Sequence, residues 1–322
     1  MCSLHTVYSI LQLFKDFLIL TVMFNYLSWP TEPETDSSSN RWQHAASNIC
    51  LDFHGDPSTA QLVIFSDGNH HMALANTVTR FKQLNPDVTE IFYATTPPGV
   101  LLDIIQNGRI VLGNLVISVQ PHVFISPELI VQKLVKSGAT PGYQAFMQSK
   151  GNVMLVKRDN PRNIQSIRDL LDEDVRLFIS NPDTEKASYQ VYKNTLEAVA
   201  QHANIAKEKI QQRLDVNNIN TVFGERIHHR ELPQAIYSGY ADVAVVYAHL
   251  ALRYTRIFPE HFSFIPLLGE DSVPDQEIGN EQTTYYITTM NQAGTYGKAF
   301  LDFCKSAEVA EIYQHHGLQK PN

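Results

Sequence analysis

Apolar and polar positions in this chain switch repeatedly between two periods. In "AQLVIFSDGNHHMALANTVTRFKQLNP" an unbroken apolar run ends at Phe65, a polar turn follows, and Met72, Ala75, Val78 and Phe81 then recur at helical spacing. This pattern predicts a strand, a tight loop and a helix. "TEIFYATTPPGVLLDIIQNGR" repeats it, with a strand to Ala94, a loop from Thr95 to Gly99, and a helix stopped by Gly108. "NLVISVQPHVFISPELIVQKLVKSG" predicts a third strand through Ser118 and a helix from about Pro127 to Gly138. Strands that alternate with helices in this way argue for a mainly parallel sheet covered on both faces. Functional loops then belong at the carboxyl ends of the strands.

A second set of elements follows. "NVMLVKRDNP" reads as a strand stopped by Pro161, "IQSIRDLLD" as a helix, "VRLFISNPD" as a strand, and "SYQVYKNTLEAVAQHA" as a helix with Ser188 in the capping position. Beyond it lie a helix around "RELPQAIYSG", strands at "ADVAVVYA", "FSFIPL" and "TTYYITTM", and one closing helix in "TYGKAFLDFCKSAEVAEIYQHHG". No repeat of 20 to 50 residues interrupts this order. Two sheets joined by crossing segments make an α/β clamshell, whose lobes hinge closed over a ligand.

Composition narrows the class of partner. The 322 residues, 43% apolar and 18% charged, suffice for two lobes with buried cores. A net charge of −8 lacks the basic excess of a phosphate-tracking surface, so no nucleic-acid partner is expected. Cys2, Cys50 and Cys304 match no disulfide or metal spacing. No HExxH, G-x-S-x-G, P-loop or Rossmann fingerprint occurs, and the chain reads as a binder rather than an enzyme, with no cofactor. The apolar core of "DFLILTVMFNYLSWP" is too short to span a bilayer as a helix and has signal-peptide length, which predicts export or an amino-terminal anchor over residues 1–30. Residues 31–59, including "TEPETDSSSN", are then a linker.

The carboxyl end, "GKAFLDFCKSAEVAEIYQHHGL", resembles the closing helix of type II periplasmic solute-binding proteins of the molybdate-binding ABC-transporter branch. "LVIFSDGNHHMALANTVTRFKQLNP", "FYATTPPGVLLDIIQNGR", "NLVISVQPHVF", "NVMLVKRDNPRNIQSIRDLLDEDVRLFISNPD" and "IYSGYADVAVVYAHLA" are similar to successive pieces of that family, in order. The resemblance implies a two-lobed periplasmic-binding-protein-like clamshell, each lobe a mixed sheet flanked by helices. Lobe 1 is assigned to residues 60–149 plus 268–322, and lobe 2 to residues 150–267. It also implies a periplasmic or extracytoplasmic monomer that hands a small oxyanion such as molybdate or tungstate to a membrane permease. The family grips that anion with hydroxyls and with the free N–H groups of helix amino termini, where the helix dipole favours negative charge.

Several family positions differ here. The first loop is "SDGNHH" rather than hydroxyl-rich, the second keeps Thr95 and Thr96, and the Pro-Ala-Gly before the second-lobe tyrosine is absent, leaving Tyr189 or Tyr192 to stand in. Tyr247 matches the final tyrosine of the family's V-Y element. His70 and His71 open the first helix, and His228 and His229 precede the last helix of the second lobe, so one ring from each pair is expected to meet across the cleft. His315 and His316 end the closing helix in solvent. The expected ligand contacts are Ser66, Asn69, His70, His71, Thr95, Thr96, Ser118, Tyr189, His228, His229 and Tyr247. Two chemistries stay open for them. Imidazole N–H groups, joined by Arg230, suit an anion; unprotonated His70, His71, His228 and His229 with Asp67 or Glu225 suit a transition metal.

Overall fold

The computed structural model describes residues 52–321 except 113, 114 and 226. The amino-terminal apolar segment, Cys2, Cys50 and most of the expected linker lie outside the described residues. Among the described residues, no helix is long and apolar enough to cross a membrane.

The first sheet is formed by β1 (Phe53–His54), β2 (Leu62–Ser66), β3 (Ile91–Ala94), β6 (Val123–Pro127), β7 (Gln144–Gln148) and β13 (Thr284–Thr289), after the small hairpin β4 (Arg109–Leu112) and β5 (Leu115–Ser118) is set apart. Its order is β1-β3-β2-β6-β13-β7. β2 runs parallel to both β3 and β6, whereas β13 returns antiparallel beside β6 and β7. Helices α1 (His71–Leu84), α2 (Pro98–Asn107), α3 (Glu128–Lys136), α8 (Gly294–Cys304) and α9 (Ala307–His315) cover it. Every residue of β2 is buried, which explains why its sequence is continuously apolar rather than alternating.

The second sheet takes β8 (Asn152–Lys157), β9 (Leu177–Ile179), β10 (Thr221–Phe223), β11 (Val243–Tyr247) and β12 (Phe262–Pro266), in the order β10-β9-β11-β8-β12. It is flanked by α4 (Lys186–His202), α5 (Lys207–Arg213), α6 (His228–Tyr237) and α7 (Ala248–Ile257). Both sheets are mixed and helix-covered, as the family resemblance implies. Met72 of α1 belongs to the apolar cluster of the second sheet, so the two halves share buried surface.

Four local expectations change. The third strand of the first sheet is Val123–Pro127 and not the run ending at Ser118. β6 is buried over four successive residues and outcompetes β5, where Val116 is 53% exposed and the strand pairs only with β4. Phe53–His54 pairs with β3, so the folded chain starts before residue 60, inside the expected linker. α4 begins at Lys186 with Ser188 inside it, and the Ser188 hydroxyl turns back to the Ser180 hydroxyl at 3.0 Å instead of capping. The closing helix is two helices, because the Ser306 side chain accepts the Val309 N–H and starts a new one.

The crossing segment is held by amides. The Asn280 carboxamide accepts the Asn152 N–H at 2.7 Å and donates to the Asn152 carbonyl at 2.8 Å and to Glu277 Oε2 at 2.7 Å. A Cβ on Gly151, at φ +82°, would fall 2.8 Å from that same side chain, which fixes glycine there.

Candidate functional site

The carboxyl ends of β2 and β3 in one lobe face the starts of α6 and α7 in the other. Ser66 closes β2, and Asp67 accepts the Asn69 N–H at 2.8 Å, tightening the turn Gly68–His70. The carboxylate is thus spent on its own turn, and burial pushes its pKa up to about 6. His70 is fully buried and has a partner at each ring nitrogen, the Ser66 hydroxyl at 3.1 Å and the Tyr313 hydroxyl at 3.0 Å. It ties the first loop to α9, and burial holds its pKa near 3. His71 donates from Nδ1 to the Gly68 carbonyl at 2.9 Å, with the cationic Arg253 and Arg230 and the neutral His229 ring near it.

α6 begins at His228, so His228 and His229 sit on a regular helix and diverge by about 100°. His228 turns inward, stacked 5.3 Å from Phe178 and 5.4 Å from Tyr192. His229 turns toward the other lobe. Burial keeps both rings neutral, with pKa values near 3. The N–H groups expected to greet an anion at this helix start are already taken: His228 N–H donates to Glu185 at 3.0 Å and Ile227 N–H to Glu231 at 3.2 Å. Burial, with Glu231 nearby, raises the Glu185 carboxyl to about 7.

What the lobes do bring together is a basic cluster around Gly68. A Cβ placed on Gly68 would lie 2.5 Å from the Thr95 carbonyl oxygen and 3.9 Å from His229 Cε1, so both loops and the second-lobe histidine converge at that backbone. Arg230 crosses to Asp52, whose carbonyl accepts the Thr95 N–H at 2.8 Å. His249, two residues into α7, binds the Asn69 carbonyl through Nε2 at 2.9 Å. The buried Thr95 hydroxyl stands beside the Asp52 carboxyl, while among the described residues His229 Nε2 is buried without a hydrogen-bond partner. A buried polar atom of this kind is costly unless a ligand or water completes it.

Gly68→Ala is therefore expected to separate the two loops. Overpacking of this sort costs about 1–3 kcal/mol. A melting-temperature drop accompanied by loss of ligand response is the expected outcome; an unchanged response would show that the loops do not need this contact.

The other expected contacts divide. Thr96 is buried at the same loop, and Tyr247 is buried at the end of β11, its ring 5.2 Å from that of Tyr192. Tyr192 rather than Tyr189 thus faces the seam, while Tyr189 is partly exposed beside Phe223. Ser118 is exposed opposite Arg109 on the β4–β5 hairpin and joins none of them. His70, His71, His228, His229 and Asp67 do not converge, and among the described residues no group of three or more His, Cys, Asp or Glu is arranged to hold a metal. Glu225 is exposed. Sequence reasoning passed over Asp52, Glu185, His249 and Arg253. Only the last two carried a signal, an i, i+4 spacing that places both on one helix face directly after Tyr247.

Comparison with solved structures places this fold. The substrate-binding protein of an ABC transporter from Agrobacterium tumefaciens is 12% identical, with a TM-score of 0.62 and 82% of each chain covered. The sulfate-binding protein of Mycobacterium tuberculosis is 15% identical, at a TM-score of 0.58 over 81% of this chain and 87% of that one. The periplasmic molybdate-binding protein of Azotobacter vinelandii is 16% identical, at a TM-score of 0.56 over 81% of this chain and all of that one. No curated protein matches in sequence. A family model described as bacterial extracellular solute-binding protein matches residues 62–319. With that match spanning both sheets, the chain belongs to the bacterial extracellular solute-binding proteins, which are binders and not enzymes.

Proposed function

We propose that the chain is the extracytoplasmic receptor of an ABC-type transporter, and that it closes on a small oxyanion of the molybdate, tungstate or sulfate class for delivery to the membrane permease. The carrying observation is the interlobe meeting of the neutral His71 and His229 rings with the Arg230 and Arg253 guanidinium groups, a positive setting with uncharged polar rings that suits an anion. His229 Nε2, in the tautomer that carries its proton, supplies a neutral donor beside it. Ser66, Asn69, Thr96 and Tyr247 belong to the same loops and strand ends and line the path of closure in this reading. The family's usual helix-terminus grip is replaced on the second-lobe side, because Glu185 and Glu231 occupy that end of α6. Differential affinity for the closed arrangement drives closure. The paired histidines do not favour a metal, since their rings point to different neighbours.

A ligand that binds only the folded state at a hundredfold above its Kd stabilises by about 2.7 kcal/mol. For lobes of this size that is a rise of about 5–10 °C in melting temperature. Molybdate, tungstate or sulfate should produce it, and zinc, nickel and copper should not. Stabilisation by the metals alone, absent with every oxyanion, overturns the proposal.

A further inference from the structure

Arg230 is already held by an anion of the protein itself. It belongs to α6 of the second lobe, whereas its partner Asp52 stands directly ahead of β1, at the edge of the first sheet. The pair is largely covered, with the Asp52 side chain 18% exposed and that of Arg230 29%. One carboxylate there meets two groups at once, the Arg230 guanidinium and the Thr95 hydroxyl. A cation and a neutral hydroxyl from opposite lobes are the partners that an oxyanion needs.

Stability alone accounts poorly for this pair. Burial raises the pKa of the Asp52 carboxyl even with a guanidinium against it, so desolvation outweighs the attraction that the carboxylate gains. Such a group is readily given up to a better-charged competitor. The strap that carries it is also short, because β1 has only Phe53 and His54 and is the outermost strand of its sheet. Its attachments include the His54–Tyr93 stack at 4.3 Å and the bond from the Thr95 N–H to the Asp52 carbonyl at 2.8 Å. Being tethered, the carboxylate has an effective concentration at Arg230 on the order of millimolar.

We propose that Asp52 is a built-in competitor of the ligand, whose carboxylate holds Arg230 and Thr95 until a solute anion displaces it. This rests on the interlobe site proposed above and sets the threshold at which that site fills. A monocarboxylate offers Arg230 no more than Asp52 does, so it stays out at any concentration below that of the tethered group. A dianion brings a second charge into the same positive setting and wins the exchange.

Two measurements on the full chain test this, comparing the parent with Asp52→Asn, which keeps the side-chain shape and removes the charge. Labelling with phenylglyoxal in the absence of solute, mapped to Arg230 by peptide mass spectrometry, should run about fivefold or more faster in Asp52→Asn and near the parent rate in Asp52→Glu. Titration calorimetry with molybdate should give a Kd about tenfold lower in Asp52→Asn, as expected when a competitor holds the site for about nine-tenths of the time. Where the parent binds molybdate, a Kd that is unchanged or raised in Asp52→Asn overturns the proposal and leaves the oxyanion reading intact. Equal labelling of Arg230 in the parent and Asp52→Asn overturns it as well, whatever binds. Faster labelling without binding of molybdate, tungstate or sulfate to either chain fails the oxyanion reading instead and keeps Asp52 as the group that masks Arg230.

Discussion

Replacing His70 with alanine is expected to lower the unfolding free energy by about 3–5 kcal/mol, whereas His229→Ala should change it by less than about 1 kcal/mol yet remove the response to ligand. The two histidines look equivalent in sequence, one from each adjacent pair. Their surroundings are opposite. The His70 ring is fully buried 4.7 Å from the Tyr285 ring, with both nitrogens bonded, so its loss opens a cavity and strands the hydroxyls of Ser66 and Tyr313. Each stranded buried group costs about 1–3 kcal/mol. His229 leaves Nε2 buried and unpaired, so truncation removes an unfavourable atom along with its packing. Its backbone carbonyl, which accepts the Tyr254 hydroxyl, survives the substitution. Denaturant titration and a ligand thermal-shift assay on both variants check the pair. If His229→Ala proves the more destabilising, or keeps the full ligand shift, the division between a structural and a ligand-facing histidine is lost.

That division also marks the limit of what sequence patterns convey. Strands buried on both faces, such as β2 and β11, announce themselves as apolar runs, and the order of elements along the chain followed from them. Where two apolar runs compete, as at Ser118 and Val123–Pro127, the pattern is silent, because the choice depends on which run the neighbouring strands can bury. The closing helix was divisible in principle, since Ser306 followed by Glu308 carries a capping signal that helical periodicity masks. Histidine pairs were legible as features but not in their directions. His228 and His229 diverge only because α6 starts at His228, and that start is fixed by carboxylates contributed from Glu185 and Glu231. Asp52, the cross-lobe partner of Arg230, lay in a stretch with no core pattern and gave no signal.

Stability should peak near pH 6.5–7 and fall as the solution is acidified. The imidazoles of His70, His228 and His229 are held near pKa 3 and those of His249 and His316 near 4, with His71 also well below its ordinary value, all chiefly by burial. Depressed folded values contribute stability that is present above the unfolded value of about 6.5 and is lost as pH falls from there through 3–4. Burial acts oppositely on two carboxyls, raising Asp67 to about 6 and Glu185 to about 7. Their contribution is full below the unfolded values near 4 and is lost as pH rises through 6–7. Between pH 4.5 and 6.5 the imidazoles outnumber the carboxyls, so the net slope favours higher pH; above 6.5 only the carboxyls still titrate, and the slope reverses weakly. Each unmatched proton is worth at most about 1.4 kcal/mol per pH unit, so a loss of about 5 °C or more is expected between pH 7 and pH 5. Glu185→Gln separates the two arms. The amide still accepts the His228 N–H but cannot ionise, so the decline above pH 6.5 should shrink while the acid limb is unchanged. A melting temperature that is flat from pH 7 to 5, or an alkaline decline that persists in full in Glu185→Gln, would show that these buried groups do not titrate as their surroundings require.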